Sequence, residues 1–131
     1  MNQAEQLNAN LMPLARLMGV TVVEASPDRV MTRLVVRDDL CTAGGILHGG
    51  AFMALADTTR AIGAFLGLPQ GAGTTTIESK TNFLGGAPVG AEITAEATPI
   101  HRGRRTSVWQ TRITNEAGKL LALVTQTQMT I

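Results

Sequence analysis

The chain has 131 residues, with 11 Lys and Arg against 10 Asp and Glu, a formal net charge of +1, and 44% hydrophobic residues. That length suits one domain around one core, and so even a charge balance argues against nucleic acid or an anionic membrane as partner. One Trp, three Phe and no Tyr leave little stacking surface for single-stranded nucleic acid, while one cysteine, Cys41, and two distant histidines give neither an intrachain disulfide nor a zinc site.

Met1–Asn10 is polar and lacks the basic-then-apolar order of a signal peptide. No segment reaches membrane-spanning length without polar interruption, so the cytoplasm is the expected compartment. Gln3–Met18 reads as one amphipathic helix, with Leu7, Leu11, Leu14 and Met18 at helical spacing. Val20–Ala25 and Arg29–Arg37 read as two strands around the turn Ser26-Pro27-Asp28, with Val30, Thr32, Leu34 and Val36 on one face of the second. A glycine-rich loop, Cys41–Gly50, leads into a long apolar helix, Ala51–Leu68, closed by Gly67, Pro69 and Gly71. Phe52, Leu55, Ala56, Thr59, Ile62 and Leu66 form its stripe, and the alanines elsewhere predict a helix wrapped on most sides. From Thr74 the period becomes two. Thr74–Leu84, Ala91–Ile100, Thr106–Asn115 and Lys119–Ile131 read as strands, and Leu121, Leu123, Thr125, Thr127, Met129 and Ile131 share a face of the last. Short turns between them predict an antiparallel meander. The whole predicts an α+β fold in which five or six antiparallel strands wrap one long central helix.

The most informative stretch is Gly45-Ile46-Leu47-His48-Gly49-Gly50 running into that helix, with Asp57 in its middle. A carboxylate expected to be buried among apolar residues costs several kcal/mol unless it is paired or used. The same surroundings would strengthen it as a base. Glycines at a helix start leave backbone N–H groups open to an incoming ligand, with the helix dipole behind them. Together they suit attack on a carbonyl: the Gly49 N–H would receive the developing oxyanion, and Asp57 would activate water or attack directly. Eight residues separate the two, about 12 Å along one helix. One carbonyl cannot touch both, so the spacing predicts a site built from two subunits, with helices antiparallel across a twofold axis.

These residues, the strand Thr74–Phe83, and the patch His101-Arg102-Gly103-Arg104-Arg105 with Trp109 resemble the hotdog-fold acyl-CoA thioesterases. Within them the pattern is similar to the phenylacetate-pathway and aryl-CoA (hydroxybenzoyl-CoA type) branch, over roughly residues 12–131, with an acidic residue nine positions after the His. The resemblance implies a single domain of an antiparallel sheet around a long helix, and a homodimer that can pair again into a tetramer. It also implies an acyl-CoA or aryl-CoA substrate hydrolysed with no metal or redox cofactor, coenzyme A being part of the substrate. His48 then hydrogen-bonds the thioester or the loop. Thr42 stands where relatives carry Asn or Gln, Thr76 where they hold the attacking water with a hydroxyl, and Ala61 where the aryl branch can carry a hydroxyl. Gly50 lies beside the substrate. Arg102, Arg104 and Arg105 supply donors for the phosphates of coenzyme A, with Lys80 and Asn82 as secondary candidates. Phe52 and Phe83 join the helix stripe around the acyl group.

Plainer readings stand beside these. Asp57 can be neutralised by Arg60, three residues on, as a structural ion pair. Arg102–Arg105 can be a solvated turn, and Thr74–Thr76 can reflect strand propensity. Cys41 has no base at a suitable spacing and reads as a bystander thiol. Two other functions compete: a hydratase or dehydratase of acyl thioesters, and a non-catalytic acyl-CoA-binding domain.

Overall fold

The computed structural model describes residues Met1–Ile131. The strands are β1 (Thr21–Ser26), β2 (Arg29–Val35), β3 (Thr74–Phe83), β4 (Glu92–Arg102), β5 (Thr106–Thr114) and β6 (Leu120–Thr130). They form one sheet in the order β1-β2-β4-β5-β6-β3, every neighbouring pair antiparallel. The long helix α3 (Gly49–Leu66) packs across β2, β4 and β5. The sheet and central helix expected from the sequence are therefore present, with six strands.

Three expectations change. The single helix predicted over Gln3–Met18 is two, α1 (Gln3–Ala9) and α2 (Pro13–Met18). Pro13 opens the second as its first residue, because proline lacks the N–H that a continuing helix needs. An Asn2–Glu5 capping box starts the first. Next, the late strands are not a simple meander. β3 pairs with β6, while β4 pairs with β2 and β5. The connection between β3 and β4 is no hairpin. It runs past the loop before α3, where the Leu47 N–H donates to the Ala87 carbonyl at 2.8 Å and Ile46 bridges Pro88.

The last change is the inward face of β6. Leu121 is buried near one end of the strand, but further along the buried positions are Ala122, Val124, Gln126 and Gln128, not Leu123, Thr125, Thr127 and Met129. Small residues there let the helix approach, and the two glutamines find polar partners beneath it. On β2 the face with Val30, Thr32, Leu34 and Val36 is buried as the alternation predicts.

The main core joins Phe52, Leu55 and Ala56 of α3 to Leu34, Ile93, Ile113 and Val124 of the sheet. Thr32 and Thr59, both buried, satisfy each other through a 2.7 Å hydrogen bond. The helix is not covered all round: Met53, Asp57 and Phe65 are exposed along one face. No helix is long and apolar enough to cross a membrane.

Helix and sheet approach most closely at Gly63, where an added Cβ would lie 2.6 Å from Cη2 of the buried Trp109 ring. Gly63→Ala gains about 1 kcal/mol of helix propensity but overpacks a rigid ring, at a cost of about 1–3 kcal/mol. The expected outcome is a lower melting temperature in thermal unfolding; an unchanged or raised one would show that the helix can shift away from the ring.

Candidate active site

The start of α3 is fixed by His48. Its backbone is extended, its carbonyl accepts the N–H groups of Ala51 and Phe52, and its Nδ1 accepts the Gly50 N–H at 2.8 Å. An Nδ1 that accepts is unprotonated, so the imidazole carries its proton on Nε2. This cap explains why the helix begins at Gly49 rather than Ala51: the imidazole supplies the acceptor that Ser, Thr, Asp or Asn usually provides. It also occupies the Gly50 N–H. The Gly49 N–H has no acceptor within the chain. The Cα side of Gly49 is close-packed: a Cβ there would sit 3.2 Å from the Phe83 ring, which meets Phe52 edge-on with centroids 6.2 Å apart. Thr42 shapes the preceding loop: its hydroxyl accepts the Gly44 N–H at 3.2 Å, just before Gly45 takes a φ of 79°.

The second group of residues lies two turns along α3. In this chain Asp57 is not buried: its side chain is 54% exposed, whereas that of Arg60 is 3% exposed. Asp57 Oδ1 accepts from Arg60 Nη2 at 2.6 Å, from Gln126 Nε2 at 2.8 Å and from the Thr76 hydroxyl at 3.4 Å. Thr76 in turn accepts from Gln128 Nε2 at 2.6 Å and from Arg60 Nη2 at 3.0 Å, and Gln128 Oε1 accepts from the Thr74 hydroxyl at 3.1 Å. The hydroxyl of Thr76 therefore uses its donor and both lone pairs on protein. Thr75, between the two, makes no side-chain hydrogen bond. A bulge between Thr76 and Glu78 breaks the β3–β6 register beyond this point. Asp57 Oδ2 has no donor in the chain. Burial pushes the Arg60 guanidinium below its usual value, and the hydrogen bond and charge of Asp57 pull it back up. The carboxylate's surroundings are thus polar, not the apolar ones expected.

Asp57 and Arg60 border a cleft of about 530 Å³ between α3, β3 and the N-terminal segment. Leu7, Leu11, Met12, Ile62 and Phe65 supply its apolar side, and Thr74, Thr76 and Gln128 its polar side. That size and mixture suit a small organic group. His48, Gly49 and Phe83 do not line it, so within one chain the two halves of the site expected from the sequence stand apart.

Lys80 and Asn82 are exposed on β3, on the same strand as Phe83. Arg104 and Arg105 are exposed and make no ion pair, whereas Arg102 is tied to the β1–β2 turn, donating to Asp28 at 2.7 Å and to the Pro27 carbonyl. Its guanidinium also lies over the Trp109 ring, 5.6 Å from the centroid. A smaller cavity of about 250 Å³ at the C-terminal end of α3 is lined by Arg102, Arg104 and Trp109. Nothing in the structure activates Cys41: burial first, then Asp38 and Asp39, push its thiol up, and Sγ donates to the Arg37 carbonyl at 3.3 Å. No three His, Cys, Asp or Glu side chains stand close enough to hold a metal ion. Sequence reading had not singled out Gln126 and Gln128. Their signal was faint: two amides in a late strand, on the face without the large apolar residues.

Residues 44–122 match the family model described as the thioesterase superfamily. The chain is 31% identical over 112 residues to 1,4-dihydroxy-2-naphthoyl-CoA hydrolase of Listeria monocytogenes, a match spanning 86% of this chain and 90% of that one. It is 29% identical over 109 residues to acyl-coenzyme A thioesterase 13 of Pongo abelii, spanning 82% and 77% of the two chains. Among solved structures, a thioesterase of Haemophilus influenzae superposes with a TM-score of 0.92 at 29% identity, covering 100% of this chain and 92% of that one.

The His48 cap has a measurable consequence. His48→Ala is expected to lose about 0.5–2 kcal/mol of stability, and His48→Ser, which restores an acceptor to Gly50, to recover most of it. Chemical denaturation compares them; equal loss in both variants would mean that the ring contributes by packing.

Proposed function

The chain belongs to the thioesterase superfamily and is a thioester hydrolase, and we propose that it cleaves acyl- or aroyl-coenzyme A at a site shared by two copies of itself. One observation carries the proposal. The unpartnered Gly49 N–H and the unpartnered Asp57 Oδ2 are eight residues apart on one helix, about 12 Å along its axis, and only Asp57 borders the cleft. A second copy with its helix antiparallel brings each group to the other's partner. Two features favour that pairing. β3 is an edge strand of ten residues whose outer side is unpaired and carries no proline. The helix face bearing Asp57 exposes Met53 and Phe65, which a partner would cover. Pairing of two such dimers into a tetramer follows from the family resemblance.

The chemistry then runs as follows. Asp57 Oδ2 takes a proton from water while the water oxygen bonds to the thioester carbon; alternatively Oδ2 attacks that carbon and water opens the mixed anhydride. Negative charge gathers on the carbonyl oxygen, where the partner's Gly49 N–H and helix dipole receive it. Collapse breaks the C–S bond, and the departing thiolate takes up a proton, giving the free acid and coenzyme A. The 530 Å³ cleft receives the acyl or aroyl group. Arg104 and Arg105 bind coenzyme A phosphates, Lys80 and Asn82 assist, and Arg102 lends its charge from a fixed position. In this reading the enzyme works in the cytoplasm, with coenzyme A as part of the substrate and no separate cofactor.

Thiol release from a panel of CoA thioesters tests the activity, and Asp57→Ala is expected to abolish it while binding persists; tight binding without turnover by the wild type would overturn the proposal. Gly49→Pro removes the N–H and adds a ring for which the Phe83 side chain must give a few tenths of an ångström. The position is the first of the helix, where proline is tolerated, and His48 already has the extended backbone (φ −62°, ψ 140°) that precedes proline. Gly49→Ala, which adds the Cβ but keeps the N–H, is the control. The kcat of Gly49→Pro should fall about 10²–10³-fold. Mixed dimers of Asp57→Ala and Gly49→Pro regain one intact site if two chains share it and none if each chain works alone, so absence of rescue would refute the shared site. Arg104→Ala with Arg105→Ala is expected to raise KM for CoA esters but not for truncated thioesters; equal effects on both would remove the phosphate role.

A further inference from the structure

We propose that Arg60 is a positioning residue: it anchors Asp57 through Oδ1 alone and so dedicates Oδ2 to the reaction. This rests on the reading of Asp57 as the reacting carboxylate. Arginine–carboxylate pairs are frequently bidentate, two parallel N–H groups on two carboxylate oxygens. The pair here is not. Arg60 Nη2 and Gln126 Nε2 converge on the same oxygen, at 2.6 and 2.8 Å, and the Thr76 hydroxyl adds a third donor at 3.4 Å. The crowding leaves Arg60 Nε and Gln126 Oε1 buried without partners, an arrangement that calls for an explanation in a native structure. Arg60 is 3% exposed and also reaches Thr76 at 3.0 Å, so the guanidinium is clamped between helix and strand. The carboxylate it holds is half open to solvent on its other side.

The consequence is chemical. Three donors on Oδ1 hold the carboxyl group and leave Oδ2 without a protein donor. A proton taken by Oδ2 during attack does not disturb the Oδ1 contacts, because those need only an acceptor there. Arg60 is the one ion-pair partner of Asp57. From β3 and β6 the contacts are the neutral Thr76 and Gln126, and the N-terminal wall of the cleft offers no charged side chain. Glu78 and Lys80, further along β3, make no contact with it.

The test compares Arg60→Met, Arg60→Gln and Arg60→Lys in the full chain by steady-state hydrolysis of a CoA thioester. In the neutral variants kcat is expected to fall at least about tenfold, with KM nearly unchanged. Arg60→Lys, which keeps a cationic donor for Oδ1, should recover most of kcat. A folded neutral variant with wild-type kcat, or one in which KM rises while kcat holds, overturns the proposal. So does failure of both neutral variants to fold, which would make Arg60 a structural cation. Failure of the underlying reading looks different: there, Asp57→Ala itself keeps its activity.

Discussion

A guanidinium almost wholly removed from water needs an anion and acceptors around it, and the enclosure of Arg60 organises much of this molecule. Burial disfavours its charge, and a half-exposed carboxylate one turn away offsets that cost. Neither residue could hold this geometry on an isolated helix, where Asp57 and Arg60 would form one more flexible surface pair. β3 and β6 make the difference. They bring Thr76, Gln126 and Gln128 under the helix and lock the pair into a five-member polar network. The same demand explains why β6 turns glutamines inward rather than the larger apolar residues of its other face: a polar network inside a fold has to be satisfied.

Backbone satisfaction governs the other end of α3 in the same way. The loop before the helix is stitched to the β3–β4 connection through Leu47 and Ala87, and His48 caps the first turn with both its carbonyl and its ring. Of the donors at the helix start, Gly49 is left free beside the ring of Phe83. An unused N–H at one position and an unused carboxylate oxygen eight residues later are the open groups of the candidate site. The neighbouring Gly50 N–H and Asp57 Oδ1 are both occupied. Helix geometry keeps them too far apart to serve one small group from a single chain.

Three departures from simple sequence patterns lie near these open groups. The β3–β4 crossover, the bulge after Thr76 and the buried amides of β6 each depart from local alternation. Elsewhere, as on β2 and along the apolar stripe of α3, pattern and burial agree. Local rules are followed where only packing is at stake and set aside where polar groups have to meet.

The amino-acid sequence by itself determined the long helix, the strands, and the positions of His48, Gly49 and Asp57 along the chain, because apolar period and glycine placement are local properties. It also carried the family, through a motif confined to one loop and one helix. The break at Pro13 was legible too, had the proline been weighed above the periodicity. Tertiary structure alone decided which strand lies beside which, which face of β6 turns inward, that Asp57 sits among polar side chains, and that Arg102 is held by Asp28. Those outcomes depend on contacts between residues as many as 75 positions apart. No local propensity encodes such a contact: it exists only once the backbone has closed and each buried donor has had to find an acceptor.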